Sequence, residues 1–227
     1  MDDRHSIIDS ITGAFVPIHP DGRKFVFGAA GVTLLLFLLT GPLGWLGVIA
    51  TAYCAYFFRD PERVTPKRAG LVVSAADGRI TGVGKVPPAA ELGLASATTT
   101  RISVFLSVLD VHIIRAPVGG RVVRTQYVPG KFLNAELDKA SEENERLALV
   151  IETPTGDKIG LVLIAGLIAR RIVTFVKEGD SVEAGQRVGL IRFGSRADVY
   201  LPDGAVPLVE TGQIAIGGET VLAELKR

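Results

Sequence analysis

The chain has 227 residues, with 25 Lys and Arg against 24 Asp and Glu, and a mean hydropathy of +0.35. This hydropathy excludes an intrinsically disordered chain, and the charge balance argues against a nucleic-acid-binding protein, which would carry a basic excess. The single cysteine excludes an intrachain disulfide and a multi-cysteine metal site, and with only three histidines no metal is expected.

A long apolar segment lies near the N-terminus, because no charged residue occurs between Lys24 and Arg59. One helix of that length would measure about 50 Å, more than the ~30 Å hydrocarbon core of a bilayer. Gly41-Pro42 at the midpoint predicts a break. We therefore predict a hydrophobic helical hairpin over residues 24–58 in the membrane. A single tilted span and a buried helix pair of a soluble protein are the alternatives.

Basic residues flank both ends of this segment, which by the positive-inside rule puts both ends in the cytoplasm. We expect residues 1–23 to form a cytoplasmic segment. The protein is then expected at the cell membrane, on its cytoplasmic face.

Residues 59–227 have the pattern of a separate β domain. Short β-branched runs alternate with Gly, Pro and Asp, which indicates mostly antiparallel strands. Gly179-Asp180 and Gly185 resemble the turns of barrel-sandwich domains. The expected fold class is mostly β (α+β): a barrel-sandwich-like antiparallel β domain preceded by the helical hairpin. The predicted strands are 71–74, 101–108, 121–128, 147–152, 159–164, 172–176, 188–193 and 197–201.

Three segments of this domain contain the candidates for chemistry. Asp77 lies in an Asp-Gly turn, His112 follows a predicted strand, and Ser195 follows Gly194. Each has an ordinary structural interpretation by itself, as a turn residue or a buried histidine. Together, Asp, His and Ser supply the groups of a base-activated hydroxyl. The sequence has no G-x-S-x-G elbow, P-loop or dinucleotide-binding fingerprint.

Four motifs, in order along the chain, resemble the phosphatidylserine decarboxylase family, and within it the short, archaeal-like branch. Each motif alone is only suggestive, whereas their order makes the resemblance specific. The motifs are FFRDPERVTP (57–66), VVSAADGRI (72–80), LSVLDVHIIRAPVGGRV (106–122) and FGSRADVYLP (193–202).

The resemblance implies a pyruvoyl cofactor that the chain makes from its own Ser195, without pyridoxal phosphate or metal. The bond between Gly194 and Ser195 would cleave itself, which leaves a β chain of residues 1–194 and an α chain of residues 195–227 as partners. The pyruvoyl carbonyl would condense with the amine of phosphatidylserine, and the Schiff base would act as electron sink for loss of CO2, giving phosphatidylethanolamine. The membrane is the second implied partner, a homodimer is allowed, and nucleic acid is not expected.

One position departs from the pattern of longer family members, which carry two histidines in D-Y-H-x-x-H-x-P. In this chain His112 occupies the first histidine position and Arg115 the second. Arginine is a poor proton acceptor near neutral pH. The expectation is that His112, with Asp77 behind it, serves as base for the cleavage and as candidate proton donor in turnover. Arg115 is expected to hold the substrate carboxylate or phosphate.

Three other functions fit parts of the sequence. A membrane-anchored barrel-sandwich adaptor or carrier module would need no catalysis. A serine hydrolase would use Asp77, His112 and Ser195 but remain one chain, whereas the decarboxylase must split. A decarboxylase of a soluble amino acid would have no use for the hairpin.

Overall fold

The computed structural model describes residues 16–130, 143–166, 171–192 and 195–226. The chain divides into two compact units between Glu62 and Arg63. The first contains the helices and the second contains the strands.

The first unit is built on two helices, α1 (Pro20–Thr40) and α2 (Gly44–Phe57), joined by a 3-10 turn over Gly41–Leu43. The break predicted at Gly41-Pro42 is therefore present, although α1 begins four residues before the predicted segment. Pro20 suits the first helical position because its missing N–H needs no partner there. The whole region Pro20–Phe57 is long and apolar enough to cross a membrane.

Contacts along their length hold the two helices side by side as a hairpin. The Thr33 and Thr51 hydroxyls are 2.9 Å apart, and the rings of Phe25 and Phe58 stack at 5.2 Å. A Cβ on Gly47 would lie 2.7 Å from the Thr33 hydroxyl, so glycine is what lets α2 approach α1 there. The open end of the hairpin is closed by the His19 N–H, which donates to the Phe58 carbonyl.

The second unit is mostly antiparallel β, as the sequence predicts, and its largest sheet curls into a half-barrel. This sheet has eight strands in the order β13-β2-β3-β11-β7-β6-β5-β9, and two three-stranded sheets have the orders β1-β14-β12 and β4-β10-β8. The strands are β1 (Leu71–Val73), β2 (Gly78–Val86), β3 (Thr99–Leu106), β4 (Ile113–Arg115), β5 (Gly120–Val128), β6 (Arg146–Glu152), β7 (Lys158–Ala165), β8 (Ile172–Thr174), β9 (Ser181–Val182), β10 (Arg187–Ile191), β11 (Ser195–Leu201), β12 (Val206–Pro207), β13 (Ile214–Ala215) and β14 (Val221–Glu224).

Strand β11 lies inside the large sheet and is buried on both faces. Ala197, Val199 and Leu201 belong to the main core, whereas Tyr200 packs on the other face against a smaller apolar cluster. Side chains alternate between faces along a strand, so Ser195 shares the face of the main core and Arg196 the opposite face. The face on which Ser195 lies is thereby fixed by the packing of the whole strand.

Candidate active site

Several strand ends meet at one edge of the large sheet, which we call the site edge. Ser195, the first residue of β11, is paired with Leu106 at the end of β3 and with Ala165 at the end of β7. Strand β2 pairs with β3 on the side away from β11, and it begins at Gly78. A Cβ on Gly78 would lie 3.3 Å from the Leu106 Cα. Adjacent strands are about 4.8 Å apart, so the Gly78 and Ser195 backbones are about 10 Å apart.

Ser195 is completely buried, and its Oγ has no hydrogen-bond partner among the residues that the structure describes. A buried hydroxyl without a partner costs about 1–3 kcal/mol, so such a group calls for an explanation. One explanation is that the hydroxyl is a reacting group, because its proton and lone pairs are then used in a chemical step. Gly194, the other half of the predicted cleavage site, lies outside the described residues.

His112 is also completely buried and lies next to the strand that leads to Ser195. Its carbonyl accepts from the Ile191 N–H at 3.2 Å, and the following Ile113 pairs with Leu190 of β10. Its Nδ1 is 2.9 Å from the Asp110 carbonyl oxygen. A carbonyl can only accept, so this bond assigns the proton to Nδ1 and makes Nε2 the basic nitrogen.

The turn before His112 is fixed by Asp110. Its Oδ2 accepts from the Ser107 N–H at 2.7 Å, and its own N–H donates to the Ser107 carbonyl. Asp110 therefore shapes the turn that carries the histidine, a role that the sequence analysis did not give it.

Asp77 lies at the site edge, directly before Gly78, and both of its carboxylate oxygens are hydrogen-bonded. Oδ2 is 2.6 Å from Nη2 of Arg63, and Oδ1 accepts from the Gly217 N–H at 2.8 Å. Both side chains of the ion pair are largely buried. From the sequence, Arg63 is one of the basic residues that follow the apolar segment, and it received no role at the site. Its place in the FFRDPERVTP motif was the available signal for such a role.

Arg115 is buried at the end of β4 and is tied into the same corner of the unit. Its Nη1 donates to the Gly185 carbonyl at 2.9 Å, and its N–H donates to the Ala75 carbonyl at 2.8 Å. A Cβ on Gly218 would lie 2.9 Å from the Arg115 Cδ and 3.6 Å from the Arg63 Cβ. The two arginines and Asp77 therefore surround the Gly217-Gly218 turn.

A buried ion pair lies on the opposite face of β11, directly after Ser195. Nε and Nη2 of Arg196 are 2.9 and 3.0 Å from the two carboxylate oxygens of Asp198, and both side chains are almost completely buried. Burial, followed by the Asp198 charge, raises the pKa of Tyr200 on the same face to about 12. Asp198 was not predicted as a site residue, although two charges at alternate positions of an apolar strand were a readable signal.

A cavity of about 1300 Å³ lies elsewhere in this unit, lined by the segment 63–71, the turns 153–157 and 183–186, and other residues. Ser195 and His112 are not part of its lining, whereas Arg63 and Gly185 are. The cavity thus adjoins the Arg63–Arg115 corner rather than the serine.

Residues 50–223 match the sequence profile of the phosphatidylserine decarboxylase family. The match covers most of the chain and includes Asp77, His112, Arg115 and Ser195. It also includes the whole of β11 and both of its neighbouring strands.

Proposed function

Because the chain belongs to the phosphatidylserine decarboxylase family, a family of carboxy-lyases, we propose that it converts phosphatidylserine to phosphatidylethanolamine with a pyruvoyl group made from its own Ser195. The observation that carries the proposal is the completely buried Ser195 hydroxyl, which has no hydrogen-bond partner in the described part of the chain. We also propose that the chain belongs to the short, archaeal-like branch, on the FGSR and DVHIIRAP motifs.

The surroundings of Ser195 fit a pyruvoyl group. Its backbone is held by β3 on one side and β7 on the other, and its side chain faces the apolar main core. A methyl group and a neutral carbonyl suit this environment better than a hydroxyl without a partner. When present, the pyruvoyl carbonyl supplies an electron sink for departure of CO2.

The group would form through self-cleavage in which this chain supplies every reacting atom except one water. Nε2 of His112 takes the Oγ proton, and Oγ attacks the Gly194 carbonyl carbon. The C–N bond then breaks, and the proton passes to the Ser195 nitrogen, which leaves an ester. Loss of the Ser195 Cα proton breaks the Cβ–Oγ bond and releases Gly194 as a carboxylate. Water then replaces the nitrogen, which leaves as ammonia, and a ketone remains.

Asp77 and Arg115 have supporting roles in this proposal. Asp77, held by Arg63 and the Gly217 N–H, provides the negative charge at the site edge that stabilises a protonated His112. Arg115 binds the substrate carboxylate or phosphate, because an anion at this corner would meet two guanidinium groups, those of Arg63 and Arg115.

The remaining parts of the proposal concern location and assembly. The hairpin of α1 and α2 anchors the protein in the cell membrane, with both ends on the cytoplasmic face, where the substrate is a component of the bilayer. The catalytic domain extends over residues 59–227 and after cleavage consists of the chains 1–194 and 195–227. Association of two copies as a homodimer is compatible with this arrangement.

Intact-protein mass spectrometry of the purified full chain tests the proposal. We expect two polypeptides, residues 1–194 and residues 195–227. The C-terminal one should be lighter by one ammonia than the same residues with an intact N-terminal serine, and it should react with carbonyl reagents. Ser195→Ala should give only the uncut chain. A catalytically competent enzyme that is a single polypeptide without a reactive ketone would overturn the proposal, and hydrolysis by that uncut chain would instead favour a serine hydrolase.

A further inference from the structure

Exposed aliphatic side chains cluster around the site edge. Val108 and Leu109 are 38% and 58% exposed, and Ile214 and Ile216 are 62% and 40% exposed. Among the described residues of the β unit, these are four of eight exposed large apolar side chains. Single exposed aliphatic residues are ordinary, whereas four around one edge are less so.

Strand pairing places these four residues close to the reacting serine. Ala215 lies between the two isoleucines and pairs with Gly78 of β2. Leu106, two residues before Val108, pairs with Ser195. Three strand spacings separate Ala215 from Ser195, or about 15 Å. The two apolar pairs therefore lie at the site edge, both on the β3 side of Ser195.

Hydrogen bonds hold both apolar turns. The Ser107–Asp110 turn is held by the Asp110 carboxylate. The Ile216 N–H donates to the Thr220 hydroxyl, and the adjacent Gly217 N–H donates to Asp77. The side chains are thus presented at fixed positions, and the Asp77 that orders one turn is itself a residue of the candidate active site.

Two exposed arginines border this edge. Arg79 and Arg171 are both exposed. Arg79 follows Gly78 in β2, and the Arg171 carbonyl accepts from the Arg192 N–H. The Asp77 carboxylate is paired with the Arg63 guanidinium, and the Asp110 carboxylate accepts from the Ser107 N–H. Aliphatic side chains bordered by arginine are the pattern that binds a bilayer containing anionic lipids.

We propose that the site edge docks on the lipid bilayer, with Val108, Leu109, Ile214 and Ile216 inserted among the acyl chains and Arg79 and Arg171 at the headgroups. The inference rests on the proposed function, since a substrate drawn from the bilayer explains why the lipid-binding surface borders Ser195. It adds a second membrane contact, in the β unit, to the one proposed for the hairpin.

Tryptophan fluorescence on vesicles tests the docking surface directly. Trp45 is the only tryptophan of the chain, so a Trp45→Phe background allows one probe at a time: Leu109→Trp, Ile216→Trp, or the control Val206→Trp. Val206 is 46% exposed but follows the turn after Leu201, at the end of β11 opposite Ser195. The full-length proteins are reconstituted in phosphatidylcholine–phosphatidylserine vesicles with or without brominated acyl chains.

We expect bromine to quench the probes at 109 and 216 strongly and the probe at 206 weakly. Equal quenching at all three positions would overturn the proposal. The emission of the probes at 109 and 216 could instead shift to the blue as the protein concentration in detergent rises, without quenching by bromine. That result would assign the surface to a second copy of the chain and would also overturn the proposal. The readout needs no catalysis, and Ser195→Ala versions should give the same result, so failure of docking and failure of the proposed chemistry can be told apart.

Kinetics provide the second readout. The quantity to compare is kcat/KM on phosphatidylserine in a bilayer divided by kcat/KM on a soluble short-chain phosphatidylserine. In the double variant Leu109→Asp with Ile216→Asp, we expect this ratio to fall about tenfold. Val206→Asp should leave this ratio unchanged. An equal ratio in both variants would contradict the docking surface.

Discussion

Ser195 is completely buried, and its hydroxyl has no hydrogen-bond partner within the described ranges of the chain. His112 lies beside the strand that leads to it. The Nδ1 bond to Asp110 leaves Nε2 as the basic nitrogen, whereas the guanidinium of Arg115 stays protonated near neutral pH. We therefore predict that His112→Ala abolishes cleavage of the precursor, while Arg115→Ala retains it and loses substrate affinity. Gel electrophoresis for the 1–194 and 195–227 fragments measures the first effect, and KM the second. Full cleavage in His112→Ala with none in Arg115→Ala would reverse the two assignments.

The Arg196–Asp198 pair leads to a prediction about stability. Removal of one partner leaves an uncompensated charge in an apolar environment, which costs about 3–5 kcal/mol. Asp198→Ala should lower the free energy of unfolding by this amount, measured by denaturant unfolding in a Ser195→Ala background so that cleavage does not alter the transition.

The control for this prediction removes both charges. Arg196→Met combined with Asp198→Leu should recover much of the lost stability, because apolar side chains of similar volume replace the pair without leaving a charge behind. Equal losses in the single and double variants would mean that packing, rather than the charge, accounts for the effect.

Tyr200 leads to a prediction about alkaline pH. Its pKa is raised from 10.0 to about 12 in the folded protein, mainly by burial. The folded state therefore holds the phenolic proton where the unfolded state has lost it, and stability declines as the pH rises from about 10 to 12, by up to about 3 kcal/mol. Tyr200→Phe should flatten this decline in unfolding experiments, and an unchanged slope would contradict the assignment.

Three of the candidate site residues were selected from the sequence because their types and order along the chain carry information. Asp77, His112 and Ser195 were singled out from the sequence, and the structure places Asp77 and Ser195 at the same edge, with His112 beside the strand leading to the serine. Arg63, Asp110 and Asp198 were not. The partner of Arg63 is brought to it by the fold, whereas the short Ser107–Asp110 turn and the alternate charges of Arg196 and Asp198 were signals in the sequence that were not used. Asp77 and Arg63, for example, are brought together only by the folded turns.

At the scale of elements, Gly78 shows how tightly β2 and β3 are joined at the site edge. Its φ is +149°, and a Cβ would lie 2.0 Å from the Phe105 carbonyl oxygen. We predict that Gly78→Ala lowers the free energy of unfolding by at least about 2 kcal/mol, because the backbone or the paired strand must shift. Gly84→Ala in the same strand is the matched control, since nothing lies within 4 Å of its Cβ position. Thermal unfolding of both variants measures the difference, and equal melting temperatures would refute the argument.

The strands predicted from the sequence are those that bury β-branched residues in the core. β6 and β7 are largely continuous apolar runs, and β11 is an apolar run interrupted by Arg196 and Asp198. The predicted positions of all three strands were correct within one or two residues. β2 was missed because Gly82 and Gly84 interrupt its pattern. β4, β9, β12 and β13 have only two or three residues each, so their existence depends on pairing with partners that periodicity cannot identify.

At the scale of the whole molecule, residues 195–226 are woven through the β unit. β11 lies between β3 and β7, β13 pairs with β2, and β14 pairs with β1. We predict that cleaved 1–194 and 195–227 stay together through native size-exclusion chromatography and separate only under denaturing conditions. Loss of the smaller fragment from a native column would show that these strands do not hold it.

The position of β11 also has a consequence for biosynthesis. β3 and β7 both precede Ser195 in the chain, so they present two open strand edges with a gap between them until β11 is inserted. Under the proposed self-cleavage, the bond ahead of β11 can break only after β11 has entered this gap, since the surroundings of the Ser195 hydroxyl do not exist before then.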